Sequence, residues 1–343
     1  MDTDVLHATA MELVGPGRGI LAADESTGTI KKRFDSIGLE STEGNRRAYR
    51  DMLFTTAGLG EHISGVILFD ETIRQSALDG TPFPEFLAKA DMIPGIKVDT
   101  GAKPLAAFPG ETVTEGLDGL RERLAEYRQL GARFAKWRAT IFCGPDLPTE
   151  FAILANAHAM ARYAALCQEA DTVPIVEPEI LMDGDHSIEA CEEATARTLQ
   201  VLYEQLADHG VDLAGSLLKV NMVVSGASAA TKADAAQVSE ATVRCLTANV
   251  PSSVPGVVFL SGGQSDVDST IHLNEMNRMG GDHRHPWALS FSYGRALQAP
   301  ALKAWGGDPA NVELGQRALA HRARMNGLAR MGEYTAELES AAA

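Results

Sequence analysis

RFAKWRATI, residues 133–141, reads as a buried strand that carries two cations. Residues two apart on a strand face the same way, so Lys136 and Arg138 share a face. Related runs recur along the chain: PGIKVD (94–99) with Lys97, VPIVEPEI (173–180) with Glu177 and Glu179 on one face, and SLLKVNMVV (216–224) with Lys219 and Asn221 on one face. Lysine and glutamate are almost never fully buried unless paired. Ammonium groups crowded into a desolvated place lose basicity, and a neutral amine is a nucleophile. The pattern points to a reactive lysine and to Schiff-base chemistry with a carbonyl.

Four more runs complete a set of eight: GILAAD (19–24), SGVILFD (64–70), GVVFLSG (256–262) and WALSFSYG (287–294). Most are continuous apolar stretches, the mark of parallel strands covered on both faces. Their starts recur about 30 to 45 residues apart, which accommodates a strand, a helix and two loops. The intervals carry helical patterns. LDGLRERLAEYRQL (117–130) sets Leu117, Leu120, Leu124, Tyr127 and Leu130 on one face, and IEACEEATARTLQVLYEQLADHG (188–210) runs to a glycine cap at Gly210. Segment 149–170, opening at Thr149, and segment 229–248 are also read as helices. The expected fold is α/β, a (β/α)8 barrel, with an open doubly wound sheet as the alternative. Residues 1–343 are read as a single domain without a linker, and 334–343 as a mobile tail.

Composition narrows the function. The 343 residues are 45% hydrophobic and 22% charged, enough for a large core. A net charge of −16 argues against a nucleic-acid partner, which needs a basic face. Cys143, Cys167, Cys191 and Cys245 lack C-x-x-C spacing and read as reduced thiols in a cytoplasmic protein. The start MDTDVLHATAMELV has no basic n-region of a signal peptide, and no apolar run approaches the roughly 18 to 20 residues that span a membrane.

At strand ends the polar set gathers where barrel enzymes keep their chemistry. Asp24 closes the first strand and Lys97 lies near the end of the third. Blander readings stay open at this point. Lys97 could be a strand-end lysine that reaches water, Lys136 and Arg138 could neutralise the glutamates in an inert cluster, and Asp24 or Ser26 could cap the next helix. SGGQS (261–265) follows the seventh strand and SYGRALQ (292–298) the eighth, and glycine-rich turns at helix starts there suit phosphate. Arg295 would add a charge-assisted contact. Metal ligation is not expected: His283 and His285 fall in the loop before the last strand, His186 is isolated, and no Cys/His set has zinc spacing.

LAADESTGTI, GVILFDETI, GIKVDTG, FAKWR, IVEPEIL, LLKVNMV, FLSGGQS and FSYGRALQAPALKAWGG closely resemble the class I fructose-1,6-bisphosphate aldolases, in order from about residue 10 to 335. The resemblance implies a (β/α)8 lyase with no cofactor and no metal, in a cytosolic or plastid homotetramer of glycolysis or gluconeogenesis. Its substrate would be a sugar bisphosphate: fructose 1,6-bisphosphate, reversibly cleaved to dihydroxyacetone phosphate and glyceraldehyde 3-phosphate, with sedoheptulose 1,7-bisphosphate as a broader alternative. By motif, Lys219 would form the Schiff base and Glu177 serve as acid/base with Glu179 beside it. Lys136 would aid proton transfers and favour the free amine of Lys219, while Asp24 would handle the C4 hydroxyl proton. Ser261, Gly262, Gly263, Gly294 and Arg295 resemble the C1-phosphate site, with Ser292 and Arg138 among the substrate contacts. Ser26, Thr29, Arg33, Lys97 and Arg46 resemble the C6-phosphate end. The chain departs from relatives at Val220, where proline is common, and at Thr29, where serine is. Many members also end in a tyrosine that assists proton exchange on the enamine, whereas the last tyrosine here is Tyr334. For that reason exchange of the C1 proton is expected to be slower or to use another group.

Overall fold

The computed structural model describes residues 1–279 and 285–340. Ten strands form among them: β1 (Gly19–Ala23), β2 (Ile63–Leu68), β3 (Ile93–Lys97), β4 (Gly101–Pro104), β5 (Thr112–Glu115), β6 (Phe134–Ile141), β7 (Val173–Ile180), β8 (Leu217–Val220), β9 (Gly256–Phe259) and β10 (Ala288–Tyr293). Eight of them close into a barrel in the cyclic order β1-β2-β3-β6-β7-β8-β9-β10, every pairing parallel. The open doubly wound sheet is thereby excluded. The eight strands expected from apolar runs are the eight of the barrel.

Helices fill the intervals: α1 (Thr3–Leu13), α2 (Thr27–Asp35), α3 (Glu43–Phe54), α4 (Asp70–Ile73), α5 (Phe83–Lys89), α6 (Leu120–Gln129) and α7 (Glu150–Glu169). They continue as α8 (Ile188–Asp208), α9 (Ala235–Asn249), α10 (Asp266–Arg278), α11 (Arg295–Trp305), α12 (Val312–Met331) and α13 (Glu337–Ser340). Thr149 caps α7 by accepting from the backbone of Ala152, at the boundary its sequence suggested. Helix α8 stops before Gly210, whose φ of 65° is left-handed, and the amide of Val211 closes back on the Leu206 carbonyl.

Several boundaries differ from expectation, β8 for example stopping at Val220 rather than running on to Val224. Helix α6 begins at Leu120 because Gly119 sits at φ 64°, so Leu117 lies outside it. Helix α9 begins at Ala235, where Asp234 and Gln237 form a reciprocal cap, leaving 229–234 as loop. The antiparallel pair β4 and β5 was not anticipated. In the stretch read as a tail, Tyr334 is buried and its hydroxyl donates to Glu339 at 3.0 Å. Of the H-x-H pair, His283 lies outside the described residues, and Nδ1 of His285 is 2.7 Å from the Trp287 carbonyl. No helix among the described residues is long and apolar enough to cross a membrane.

Alternation along each strand divides the core in two. Ile20, Ile67, Ile93, Phe134, Ile175, Leu217 and Val258 form one cluster with Leu6, Ala10 and Leu13 of α1, so α1 plugs the N-terminal end of the barrel. The intervening residues, such as Ala135, Trp137, Leu218 and Val220, belong to the cluster shared with the surrounding helices. Two residues beyond Phe134, Ile175 and Leu217 on the same inner face stand Lys136, Glu177 and Lys219. The barrel interior is thus apolar at its base and charged at its mouth.

Glycine makes the base fit. A Cβ on Gly95 would lie 2.3 Å from the Phe134 ring, and one on Gly65 would lie 2.7 Å from Leu13. Gly95→Ala is expected to cost about 1–3 kcal/mol of stability through overpacking. Trimming the ring in the double variant with Phe134→Leu should relieve part of that loss, as read by urea-denaturation midpoints.

Candidate active site

At the mouth, four side chains from four strands interlock. Lys219 Nζ lies 3.1 Å from Glu177 Oε1, and Lys136 Nζ lies 3.3 Å from Glu177 Oε2. The other side of Lys136 meets Asp24 Oδ2 at 2.8 Å. Register explains the convergence: Lys97 pairs with Lys136 across β3 and β6, and Arg138 with Glu177 across β6 and β7. Lys136, Glu177 and Lys219 are only 3%, 3% and 4% exposed, so each charge relies on its neighbours rather than on water.

The electrostatics follow from that pairing. Burial works to raise the carboxyl of Asp24, but the ammonium of Lys136 and then that of Lys219 outweigh it and hold Asp24 below the usual carboxylate range. Glu177 is likewise depressed, burial being outweighed by Lys136, Lys219 and Arg138. Burial works to lower Lys136, yet Asp24, Glu177 and Asp99 together carry it above its ordinary value. The result is a fixed cation between two fixed carboxylates. Arg138 pairs with Glu179 through its Nε, and this pair flanks the central group.

The cluster forms the wall of a cleft of about 430 Å³. Asp24, Ser26, Thr29, Arg33, Lys97, Lys136, Arg138, Glu177, Glu179, Lys219, Ser261, Gly262, Ser292, Gly294 and Arg295 all line it, as their strand-end positions suggested. Two helices open onto it. Helix α11 starts at Arg295 after Gly294, and α2 starts after Ser26, neither with a side-chain cap, so both N-termini keep free amides for an anion. Arg295 donates to the Gly262 carbonyl at 2.6 Å and ties the two glycine-bearing loops together. The Ser292 hydroxyl is buried and has no hydrogen-bond partner among the described residues. An orphaned donor beside a helix N-terminus suits a bound oxyanion.

Some expected residues stand elsewhere. Arg46 is absent from the cleft wall: its Nε and terminal nitrogen reach the Glu71 carboxylate at 2.8 and 2.6 Å, and Ser41 takes a third bond. Gly263 turns away towards Met182, whose sulfur would lie 2.8 Å from a Cβ there. Asn221 does not share the cleft face with Lys219, because β8 ends at Val220 and the Asn221 side chain instead accepts the Ile180 amide on its Oδ1 at 2.9 Å. Arg33 was assigned with Ser26, yet its guanidinium also approaches the Gly294 turn, 3.6 Å from where a Cβ there would sit. Tyr334 does not line the cleft. Asp99, not singled out beforehand, lies 3.1 Å from Lys97 and 4.0 Å from Lys136. Its position two residues after Lys97 on the same strand end was the available signal.

Residues 5–343 match the profile of the family described as "Fructose-bisphosphate aldolase class-I". The chain belongs to the class I fructose-bisphosphate aldolase family. A protein of Xanthomonas campestris pv. campestris named probable fructose-bisphosphate aldolase class 1 is 56% identical over 335 residues, which cover 97% of this chain and 99% of that one. Fructose-bisphosphate aldolase 1 of Toxoplasma gondii is 54% identical, with 96% and 90% covered. The fructose-bisphosphate aldolase of Plasmodium falciparum, solved in complex with TRAP and a small-molecule inhibitor, has a TM-score of 0.95 at 49% identity and covers 98% of this chain. Membership of this aldolase family accounts for the extent of the motif match, and the barrel mouth holds the charged groups on which that match centres.

The shifted groups set an acid limit. Asp24 and Glu177 have folded values below their unfolded ones. Each therefore adds stability that is complete above the unfolded range near about pH 4 and is lost as pH falls through the folded value. Lys136, shifted upward, adds stability that is complete below its unfolded value and is lost as pH rises through the folded one. Between about pH 5 and 2, unfolding free energy should fall less steeply in Asp24→Asn than in the parent, by up to about 1.4 kcal/mol per pH unit. Denaturant titrations at stepped pH measure the difference.

Proposed function

We propose that this chain, acting as a single domain, cleaves fructose 1,6-bisphosphate reversibly to dihydroxyacetone phosphate and glyceraldehyde 3-phosphate through a Schiff base on Lys219. The observation that carries the reading is the line Lys219–Glu177–Lys136–Asp24 at the barrel mouth, bracketed by two uncapped helix N-termini. The 3.1 Å contact lets the Lys219 ammonium pass a proton to Glu177, which frees the amine and creates a carboxylic acid. The amine adds to the C2 carbonyl of the open-chain sugar. Glu177 then protonates the departing hydroxyl, water leaves, and a protonated imine remains.

Asp24, ionised and aimed at the same cavity, takes the C4 hydroxyl proton. The C3–C4 bond breaks, C4 becomes the aldehyde of glyceraldehyde 3-phosphate, and the electron pair moves into the imine to give an enamine. Protonation at C3 and addition of water release dihydroxyacetone phosphate and restore the lysine. Lys136 remains a cation throughout, stabilises Asp24 in its ionised form, and favours return of the Glu177 proton once it has served as the acid. The Gly262, Ser292, Gly294 and Arg295 side supports one phosphate, and Ser26, Thr29 and Lys97 support the other. Binding both ends positions C2 over Lys219 and supplies energy remote from the reacting bonds. A cytoplasmic homotetramer is the matching assembly proposal.

Borohydride reduction in the presence of dihydroxyacetone phosphate and EDTA tests the reading. Peptide mass spectrometry is expected to find one adduct, on Lys219, with turnover unaffected by the chelator. An unmodified Lys219, or turnover lost to EDTA, overturns it. Glu177→Gln is expected to lower kcat about 10²- to 10⁴-fold, the usual range for a lost acid/base, without abolishing the fold.

A further inference from the structure

The carboxylate that follows Asp24 has a side chain as buried as the reacting groups and also borders the cleft, but both its oxygens are taken by arginines. Glu25 Oε1 meets Arg33 at 2.8 Å and Glu25 Oε2 meets Arg50 at 2.6 Å. Gln298 donates to Glu25 Oε1 at 2.9 Å and to the Ala22 carbonyl at 2.7 Å, and accepts from the Tyr49 hydroxyl at 3.0 Å. Helices α2, α3 and α11 and the end of β1 therefore meet at this one carboxylate. Arg50 is buried, whereas Arg33 keeps 23% of its side chain exposed and lines the cleft beside Gly294. Two guanidiniums on one carboxylate leave one positive charge uncompensated, and only Arg33 is open to a ligand.

We propose that Glu25 is a positioning residue: with Arg50 and Gln298 behind it, it holds the Arg33 guanidinium at the cleft wall as a preformed contact for a substrate phosphate. Arg33 is long and flexible, and a free arginine loses rotamer freedom when it clamps an anion. Holding it beforehand transfers that ordering from the binding step to the folding step. The same network fixes the turn between Asp24 and Ser26, so the base and the helix α2 amides share one anchor. Burial favours the neutral form of Glu25, but Arg50 and Arg33 outweigh it and keep the carboxyl below its usual range, which keeps the clamp charged.

The inference rests on the proposed reading of Arg33 as a phosphate contact, and a double-mutant cycle separates the two. Arg33→Ala is expected to raise KM for fructose 1,6-bisphosphate about tenfold, with a smaller change in kcat. Glu25→Gln is expected to raise KM by a similar factor in the parent and to add less than twofold in the Arg33→Ala background. Glu25→Asp should recover part of the loss. If Arg33→Ala leaves KM unchanged, the phosphate reading of Arg33 fails. If Arg33→Ala raises KM but the Glu25→Gln effect adds in full, or falls on kcat alone, Glu25 acts only in folding and the proposal fails. Gln298→Leu keeps both ion pairs and serves if Glu25→Gln does not fold. It should raise KM two- to threefold in the parent and not at all with Arg33→Ala, and a full additive effect would count against the clamp.

Discussion

A charge taken out of water must find another charge close by, and the mouth of this barrel is built around that requirement. Lys136 stands between Asp24 and Glu177, and Glu177 in turn meets Lys219. Breaking one such contact leaves the partner buried alone, at a cost of several kcal/mol on the order of 3–5. Each member therefore fixes the place of the next. The strands supply the spacing and the ion pairs supply the orientation, so the groups proposed to react are held before any substrate arrives.

Much of this was legible in the chain. Apolar runs, most of them continuous, marked all eight barrel strands, because parallel strands covered on both faces have no polar face to interrupt them. Charges within those runs then marked the residues that meet at the barrel mouth. What was missed has local causes. The β4–β5 pair is a short excursion in which only Thr114 is buried, so no core pattern announces it, although TVT carried a β-branched hint. Gly119 read as part of a helix until its left-handed φ placed it outside. Asn221 obeyed the two-residue rule only while the strand lasted, and β8 is four residues long.

The surprises among the charged site residues share a single origin. Motif position tells which residues lie near one another in sequence, but not which carboxylate claims which cation. Glu71 takes Arg46, Asp99 takes Lys97 and Glu25 takes Arg33. Those pairings depend on loops and helices brought together by barrel closure. Arg46 and Arg33 lie thirteen residues apart and looked alike as substrate contacts, yet only Arg33 reaches the cleft. Asp99, two residues from Lys97, and Glu25, next to Asp24, are visible as members of the network only once their partners are in place.

The inner faces of the strands also have an evolutionary consequence. On β6, β7 and β8 the same side of the ribbon is hydrocarbon at one end and ionic two residues later. Packing at the floor supports the fold, while the ionic tier above it is dearer to bury than apolar side chains of the same volume. A lineage released from catalysis would therefore gain stability by replacing the upper tier with leucine or methionine, leaving the floor untouched. A barrel selected for chemistry at its mouth would be expected to keep that tier charged, and duplicated copies with new roles should reveal themselves first at Lys136, Glu177 and Lys219.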